Sequence, residues 1–154
     1  MILSTKGRYA VMAMVELASI QDDQPVALAT IAERQGIPLA YLEQIFAKLK
    51  KAKLVISSRG PGGGYRLSRV PSKIWVADIV LAAEESIEMT RCGKLEEGCS
   101  NKQARCLTHD LWEGLTRQIQ VYLAAISLED VCEGKVRAKT PNKVAAEIQS
   151  QFQS

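Results

Sequence analysis

Three of the four cysteines and the one histidine of this 154-residue chain lie close together in the sequence. Cys92, Cys99 and Cys106 are separated by gaps of six residues, and His109 follows Cys106 after a gap of two. Three thiolates and an imidazole form a four-ligand set that suits Zn²⁺ or an iron–sulfur cluster. Zinc ligands more often come in pairs about two to four residues apart, so the wide gaps weakly favour the larger body of a cluster. The spacing therefore predicts a metal centre.

Two other interpretations of these residues stay open. The cysteines could be buried packing residues with a chance histidine nearby, or Cys106 and His109 could form a nucleophile–base pair on one helical turn. Neither accounts for the surrounding segment 86–107, which shows no helical or strand periodicity. A loop of that length is uncommon in a compact domain, and a bound centre would supply its folding free energy. Cys132 lies outside the segment, in a helical pattern, and is assigned a structural role.

The charge of the chain is unevenly distributed. Residues 1–73 hold 11 Lys/Arg and 5 Asp/Glu, a balance of +6, whereas residues 74–154 hold 9 and 12, a balance of −3. The two balances sum to the net charge of +3. A basic N-terminal half indicates a polyanionic partner.

The basic half has the pattern of a winged helix-turn-helix. Helices are predicted over 4–20, 28–35 and 38–53, and Gly36 supplies the left-handed residue that commonly ends a helix. The third helix carries an apolar stripe at helical spacing, formed by Leu42, Ile45, Phe46 and Leu49. Two strands, 54–58 and 65–68, then flank a glycine-rich tip, and helices follow over 75–85 and 108–126. Apolar residues recur along one face of the last of these helices, at Leu111, Leu115, Ile119, Tyr122 and Ile126. Ser127, with Asp130 three residues later, resembles a further helix start. The prediction is a mainly α fold with a small β wing.

DNA binding explains the side chains that this pattern leaves on the surface. The candidates in the third helix and the wing are Ala40, Tyr41, Glu43, Gln44, Lys48, Lys51, Arg59, Gly60 and Arg66. Polar side chains near the start of a recognition helix can reach base edges in the major groove, and lysines near its end can contact phosphates. An arginine beside a glycine-rich tip can enter a narrow minor groove or hold a phosphate. The alternative for the lysines is a solvated helix end.

Composition limits the remaining classes. Hydrophobic residues make up 47% and charged residues 24% of the chain, as in folded soluble proteins. No apolar stretch approaches the ~18 residues of a membrane span, and a basic pair stands where a signal peptide needs its apolar core. The glycine-rich tip lacks the Lys-Ser/Thr of a phosphate-binding loop. We expect a cytoplasmic protein that is not an enzyme and has neither a membrane partner nor a small-molecule substrate.

Five segments together resemble a known family. They are 4–11, 37–44, 59–65, 90–92 and 106–109, with the sequences STKGRYAV, IPLAYLEQ, RGPGGGY, TRC and CLTH. They are similar to segments of the IscR-type iron–sulfur cluster regulators, a family of bacterial winged-helix transcription regulators. The resemblance covers roughly residues 1–130.

The resemblance implies a homodimer whose long helix after the cysteine segment forms the dimer seam. It also implies one 2Fe–2S cluster per chain, held by Cys92, Cys99, Cys106 and His109, double-stranded DNA as partner, and control of iron–sulfur cluster assembly genes. The alternatives are a regulator with a zinc or thiol-based switch that responds to redox state or nitric oxide, and a metal-binding interaction module that does not bind DNA. The expected organisation is a DNA-binding domain over 1–85, a cluster-binding loop over 86–107, a dimerisation region over 108–134 and a polar tail over 135–154.

Overall fold

The computed structural model of the chain describes residues 4–20, 24–84 and 106–136. The helices are α1 (Thr5–Ser19), α2 (Leu28–Gln35), α3 (Leu39–Lys51), α4 (Val76–Glu84), α5 (His109–Ala124) and α6 (Leu128–Cys132), and the strands are β1 (Val55–Ser58) and β2 (Gly64–Leu67). A short 3₁₀ turn, Pro71–Lys73, precedes α4. The mainly helical fold with a small two-stranded wing confirms the predicted fold class.

Helices α2 and α3 form the helix-turn-helix. Gly36 ends α2 in the left-handed region with φ 62°, as its position in the sequence predicts. Pro38 then stands immediately before α3. The predicted apolar stripe of α3 is buried in full, and it packs with residues of α1, α4 and the wing into one core. The helix ends two residues earlier than predicted, since the chain turns at Lys53, whose φ is +60°.

The wing is a hairpin with a third, single-residue partner. Strands β1 and β2 pair antiparallel, with Val55 opposite Leu67 and Ser58 opposite Gly64. Val26, in the connection between α1 and α2, pairs with Tyr65 through two backbone hydrogen bonds of 2.8 Å. The sequence pattern did not predict this bridge, because a bridge of one residue leaves no periodicity. This bridge ties the base of the wing to the helix-turn-helix.

A second bridge anchors the far end of α5. Trp75 pairs with Ser127, the Val76 amide donates to the Ile126 carbonyl at 2.9 Å, and the Leu128 amide donates to the Ile74 carbonyl at 2.8 Å. The predicted helix start at Ser127 is confirmed as a reciprocal capping box with Asp130. The chain therefore holds α5 by its C-terminal end against the start of α4.

Two sequence predictions lie outside the described residues. These are the cysteine segment before Cys106, including Cys92 and Cys99, and the polar tail after residue 136. Within the described ranges, none of the helices has the length and apolar character that crossing a membrane requires.

Candidate nucleic-acid interface and metal-ligand segment

The start of α3 presents an exposed surface. Ala40, Glu43 and Gln44 are all exposed, as the prediction of a reading face requires. Tyr41 is half-buried, and its ring meets the Tyr9 ring of α1 edge to face at 5.6 Å between centroids. Because that contact holds the ring, only part of Tyr41 is available to a partner.

The two predicted phosphate-binding lysines of α3 differ in their surroundings. Lys51 is exposed, whereas Lys48 is half-buried. The Lys48 Nζ donates to the backbone carbonyl of Ala83, in the last turn of α4, at 3.2 Å. Lys48 therefore has a partner within the domain that the sequence did not indicate, and its phosphate contact stays a prediction.

The wing tip holds a turn that only glycine adopts easily. Gly60 and Gly62 have φ of 94° and 73°, and the Gly63 amide donates to the Gly60 carbonyl at 2.9 Å. Arg59 and Arg66 are exposed on either side of this turn. Two cations beside a slim backbone loop can approach a groove of DNA closely.

The wing is fixed relative to α3 through an aromatic contact. The Tyr65 ring on β2 meets the Phe46 ring of α3 edge to face, with centroids 4.9 Å apart. Phe46 itself is fully buried. This contact joins the recognition helix to the wing and sets the relative position of their exposed polar residues.

Cys106 and His109 are brought together where α5 begins. The His109 amide donates to the Cys106 carbonyl at 3.0 Å, and the Cys106 Sγ lies 3.6 Å from the Thr108 hydroxyl. Cys106 is half-buried, and the His109 side chain is 15% exposed. The positive end of a helix favours a thiolate and other negative groups, so this turn suits anionic ligand chemistry.

The outer side of the same turn carries carboxylates. His109 Nε2 lies 3.7 Å from a carboxylate oxygen of Glu113, and donor atoms of His109, Asp110 and Glu113 all lie within 4.8 Å of one another. Arg117 extends the row, with its guanidinium 3.5 Å from Glu113. Nothing in the sequence pattern singled out these carboxylates, which follow from helical spacing once His109 is placed on α5.

The apolar face predicted for α5 is split between the core and the surface. Ile126, just after the helix, is buried with Val76 and Val80. Leu111 and Tyr122 are instead 62% and 41% exposed. A row of large apolar side chains on the surface of one helix is typical of an interaction face.

Cys132, assigned a structural role from the sequence, is exposed at the end of α6. Desolvation raises the pKa of its thiol, against the opposing effect of a hydrogen bond with Ser19. It lies outside the Cys106–His109 turn.

Comparison with known proteins identifies the family. A family model described as Rrf2, iron-dependent transcriptional regulator, matches residues 3–134. The chain belongs to the Rrf2 family. Among curated Rrf2-like relatives, IscR of Xenorhabdus nematophila is 51% identical over 136 residues, which cover 88% of this chain and 81% of the relative. IscR of Aliivibrio salmonicida is 52% identical over 132 residues, which cover 85% of this chain and 77% of the relative.

Solved structures agree with this assignment. T. potens IscR superposes with a TM-score of 0.70 at 38% identity, covering 92% of this chain and 93% of that one. CymR, the global cysteine regulator of B. subtilis, superposes with a TM-score of 0.71 at 31% identity, covering 86% and 97%. The resemblance to IscR-type regulators is thereby confirmed. This Rrf2 chain is a helix-turn-helix transcriptional regulator, and its curated relatives are named as HTH-type transcriptional regulators rather than enzymes.

Proposed function

We propose that this Rrf2 chain is a homodimeric transcription regulator that senses iron–sulfur cluster status through one 2Fe–2S cluster per chain and controls cluster assembly genes. The observation that carries the proposal is the turn that leads into α5, where Cys106 and His109 stand three residues apart and are joined by a backbone hydrogen bond. Relatives named IscR and a family described as iron-dependent support iron chemistry at this turn.

The donor set fits such a cluster. Cys92, Cys99 and Cys106 would supply three thiolates and His109 one imidazole nitrogen, a ligand set used for iron–sulfur centres. The half-buried thiol of Cys106 and the mostly buried ring of His109 sit at the positive end of α5, which favours the negative charge of bound thiolates. When bound, the cluster would supply a centre that is sensitive to iron supply and oxidation. Its imidazole ligand makes binding depend on pH, because histidine must be neutral to ligate.

DNA recognition would rest on α3 and the wing. Exposed Ala40, Glu43 and Gln44, with the accessible part of Tyr41, form the surface for base edges. A carboxylate at Glu43 can accept a hydrogen bond from a cytosine amino group and repels phosphate and the acceptor edge of guanine.

Phosphate and minor-groove contacts would come from exposed groups around that face. Lys51 lies at the end of α3, and Arg59, Gly60 and Arg66 lie at the wing. Such contacts position the protein on the duplex without specifying sequence.

A chain of packed helices joins the two functions. Helix α5, which begins at His109 shortly after Cys106, packs on α4, and α4 packs on the recognition helix α3. A change of order at the start of α5 can therefore bias the arrangement of the reading face, as a shift between populations of the dimer.

The homodimer is supported by the exposed apolar side chains of α5. Leu111 and Tyr122 would be covered by the same helix of a second chain, which removes their apolar surface from water. A twofold dimer would place its recognition helices about 34–36 Å apart, one turn of DNA. Analytical ultracentrifugation tests this: the unsubstituted chain should sediment as a dimer and Leu111→Glu as a monomer. A monomeric unsubstituted chain would contradict the dimer.

The cluster is tested by anaerobic purification with iron and sulfide analysis. The unsubstituted protein should be brown-red with visible absorbance and about two irons and two sulfides per chain. Cys106→Ala and His109→Ala should lose that absorbance or shift it, whereas the matched control Cys132→Ala should retain it. A colourless protein that takes up no iron and sulfide would refute the cluster.

A zinc or thiol-based switch is the second candidate. Similarity to CymR, named as a cysteine regulator, and the proximity of His109, Asp110 and Glu113 donor atoms favour it. The same purification separates the two, because a zinc protein or a free thiol site is colourless. Membership of a transcription-regulator family argues against an interaction module that never binds DNA.

A further inference from the structure

Lys48 differs from the other lysines at the end of the recognition helix. Lys50, Lys51 and Lys53 are exposed, whereas Lys48 is half-buried. Its ammonium reaches across from α3 to the Ala83 carbonyl of α4 at 3.2 Å. Ala83 is fully buried in the core that also holds the apolar stripe of α3. The lysine therefore crosses the packed junction between the two helices.

The partner of Lys48 is chemically suited to a cation. A backbone carbonyl oxygen has two lone pairs, so the Ala83 carbonyl of α4 can accept the ammonium of Lys48 in addition to any helical donor. A charge-assisted hydrogen bond to such a carbonyl is stronger than one between neutral groups.

The position of Lys48 on α3 connects this bond to the reading face. Lys48 is one helical turn after Gln44 and shares its side of α3. Any change in how α3 lies against the end of α4 therefore moves Gln44 and Glu43, together with the wing that contacts α3 through Phe46 and Tyr65, relative to α4 and to α5, which packs on α4.

We propose that Lys48 is a positioning residue that holds the recognition helix in its DNA-binding arrangement against the end of α4, and that it makes no phosphate contact. The proposal rests on the proposed DNA-reading role of α3. It predicts that removing the ammonium lowers the fraction of chains in the competent arrangement, which weakens the apparent affinity by that fraction.

The test compares Lys48→Met, Lys48→Arg and the matched control Lys51→Met in the full-length chain. The probe is a DNA duplex that the unsubstituted protein selects from a randomised library, and its affinity is measured by fluorescence anisotropy over a series of salt concentrations. A lysine that contacts a phosphate contributes about 0.9 to the slope of log affinity against log salt for each bound chain. Lys51→Met should therefore reduce the slope by about that amount.

Lys48→Met should weaken binding by up to about tenfold with an unchanged slope, because the loss is limited by the strength of one charge-assisted hydrogen bond. Lys48→Arg should restore affinity, since a guanidinium can donate to the same carbonyl. Rescue by Lys48→Arg separates the loss of the ammonium from a general loss of fold stability, and circular dichroism checks that each variant is folded.

A reduced slope in Lys48→Met, equal to that of Lys51→Met, would show a phosphate contact and overturn the proposal. An affinity equal to that of the unsubstituted chain would overturn it as well. Failure of the unsubstituted chain to select any duplex would instead refute the proposed reading role of α3, so the two failures are distinguishable.

Discussion

Gly64→Ala should detach the wing from the helix-turn-helix. A Cβ at this position would lie 2.2 Å from the Val26 carbonyl oxygen, 2.3 Å from the Val26 carbonyl carbon and 2.7 Å from the Ala27 nitrogen. All three are backbone atoms, so no flexible side chain can move aside. The Val26–Tyr65 bridge and its two 2.8 Å hydrogen bonds must then separate. At about 1 kcal/mol net for each bond, we expect a loss of about 2 kcal/mol in the free energy of unfolding.

The matched control is Gly62→Ala, at the wing tip. Gly62 has φ 73° and open space around a Cβ, so its cost is the backbone conformation alone, about 1 kcal/mol. Urea unfolding at equal chain concentration measures both variants. Gly64→Ala should also weaken DNA binding, because Arg59 and Arg66 move with the wing. A Gly64→Ala variant that loses no more stability than Gly62→Ala would refute the clash with the Val26 backbone.

Three further predictions concern α1, α6 and the reading face. The Glu16 carboxylate accepts from Arg34 at 2.9 Å and Gln35 at 2.7 Å, and the Arg34 hydrogen bond lowers the pKa of Glu16 below 4.5. The ionised Glu16 carboxylate therefore stabilises the fold at pH values above its pKa in the unfolded chain. This stabilisation is lost as the pH falls through the pKa of Glu16 in the folded chain. Glu16→Gln should therefore lower the free energy of unfolding by about 1 kcal/mol at neutral pH, as measured by urea unfolding, and the difference from the unsubstituted chain should disappear in acid. A difference that does not depend on pH would exclude the ionised pair. Ser127→Ala removes the buried cap of α6, where the Asp130 amide donates to the Ser127 hydroxyl at 3.1 Å, and should lower the free energy of unfolding by about 1 kcal/mol; an unchanged denaturation midpoint would contradict a stabilising cap. Glu43→Ala should relax discrimination among duplexes more than it weakens binding, as measured by competition with base-substituted sites, and an unchanged ranking of sites would show that Glu43 reads no base.

The apolar pattern predicted the helices because each buried stripe repeats over several turns. The stripe of α3, from Leu42 to Leu49, is buried as its spacing required. Gly36 and the capping box at Ser127 also followed from local chemistry. Local signals of this kind depend on residues close in sequence.

Contacts between distant residues left no such signal. The Val26–Tyr65 and Trp75–Ser127 bridges each join single residues, so no alternation of apolar and polar residues in the sequence predicts them. The partner of Lys48 lies 35 residues away in α4, and a lysine in a basic helix end has the same sequence signature whether it is solvated or paired. The candidate reading face was predictable from residue types. Which of its side chains are exposed, and which contact other parts of the domain, could be known only from the packed structure.

Coupling between cluster binding and DNA binding is the central property proposed for this chain. The decisive measurement is the affinity of anaerobically reconstituted protein for a selected duplex before and after the cluster is removed by a chelator, with Cys132→Ala as a control that retains the cluster. Removing the cluster should change the affinity or the preferred site, and Cys106→Ala should behave as the stripped protein throughout. A reconstituted protein with full visible absorbance whose affinity and site preference are the same after stripping would contradict the coupling.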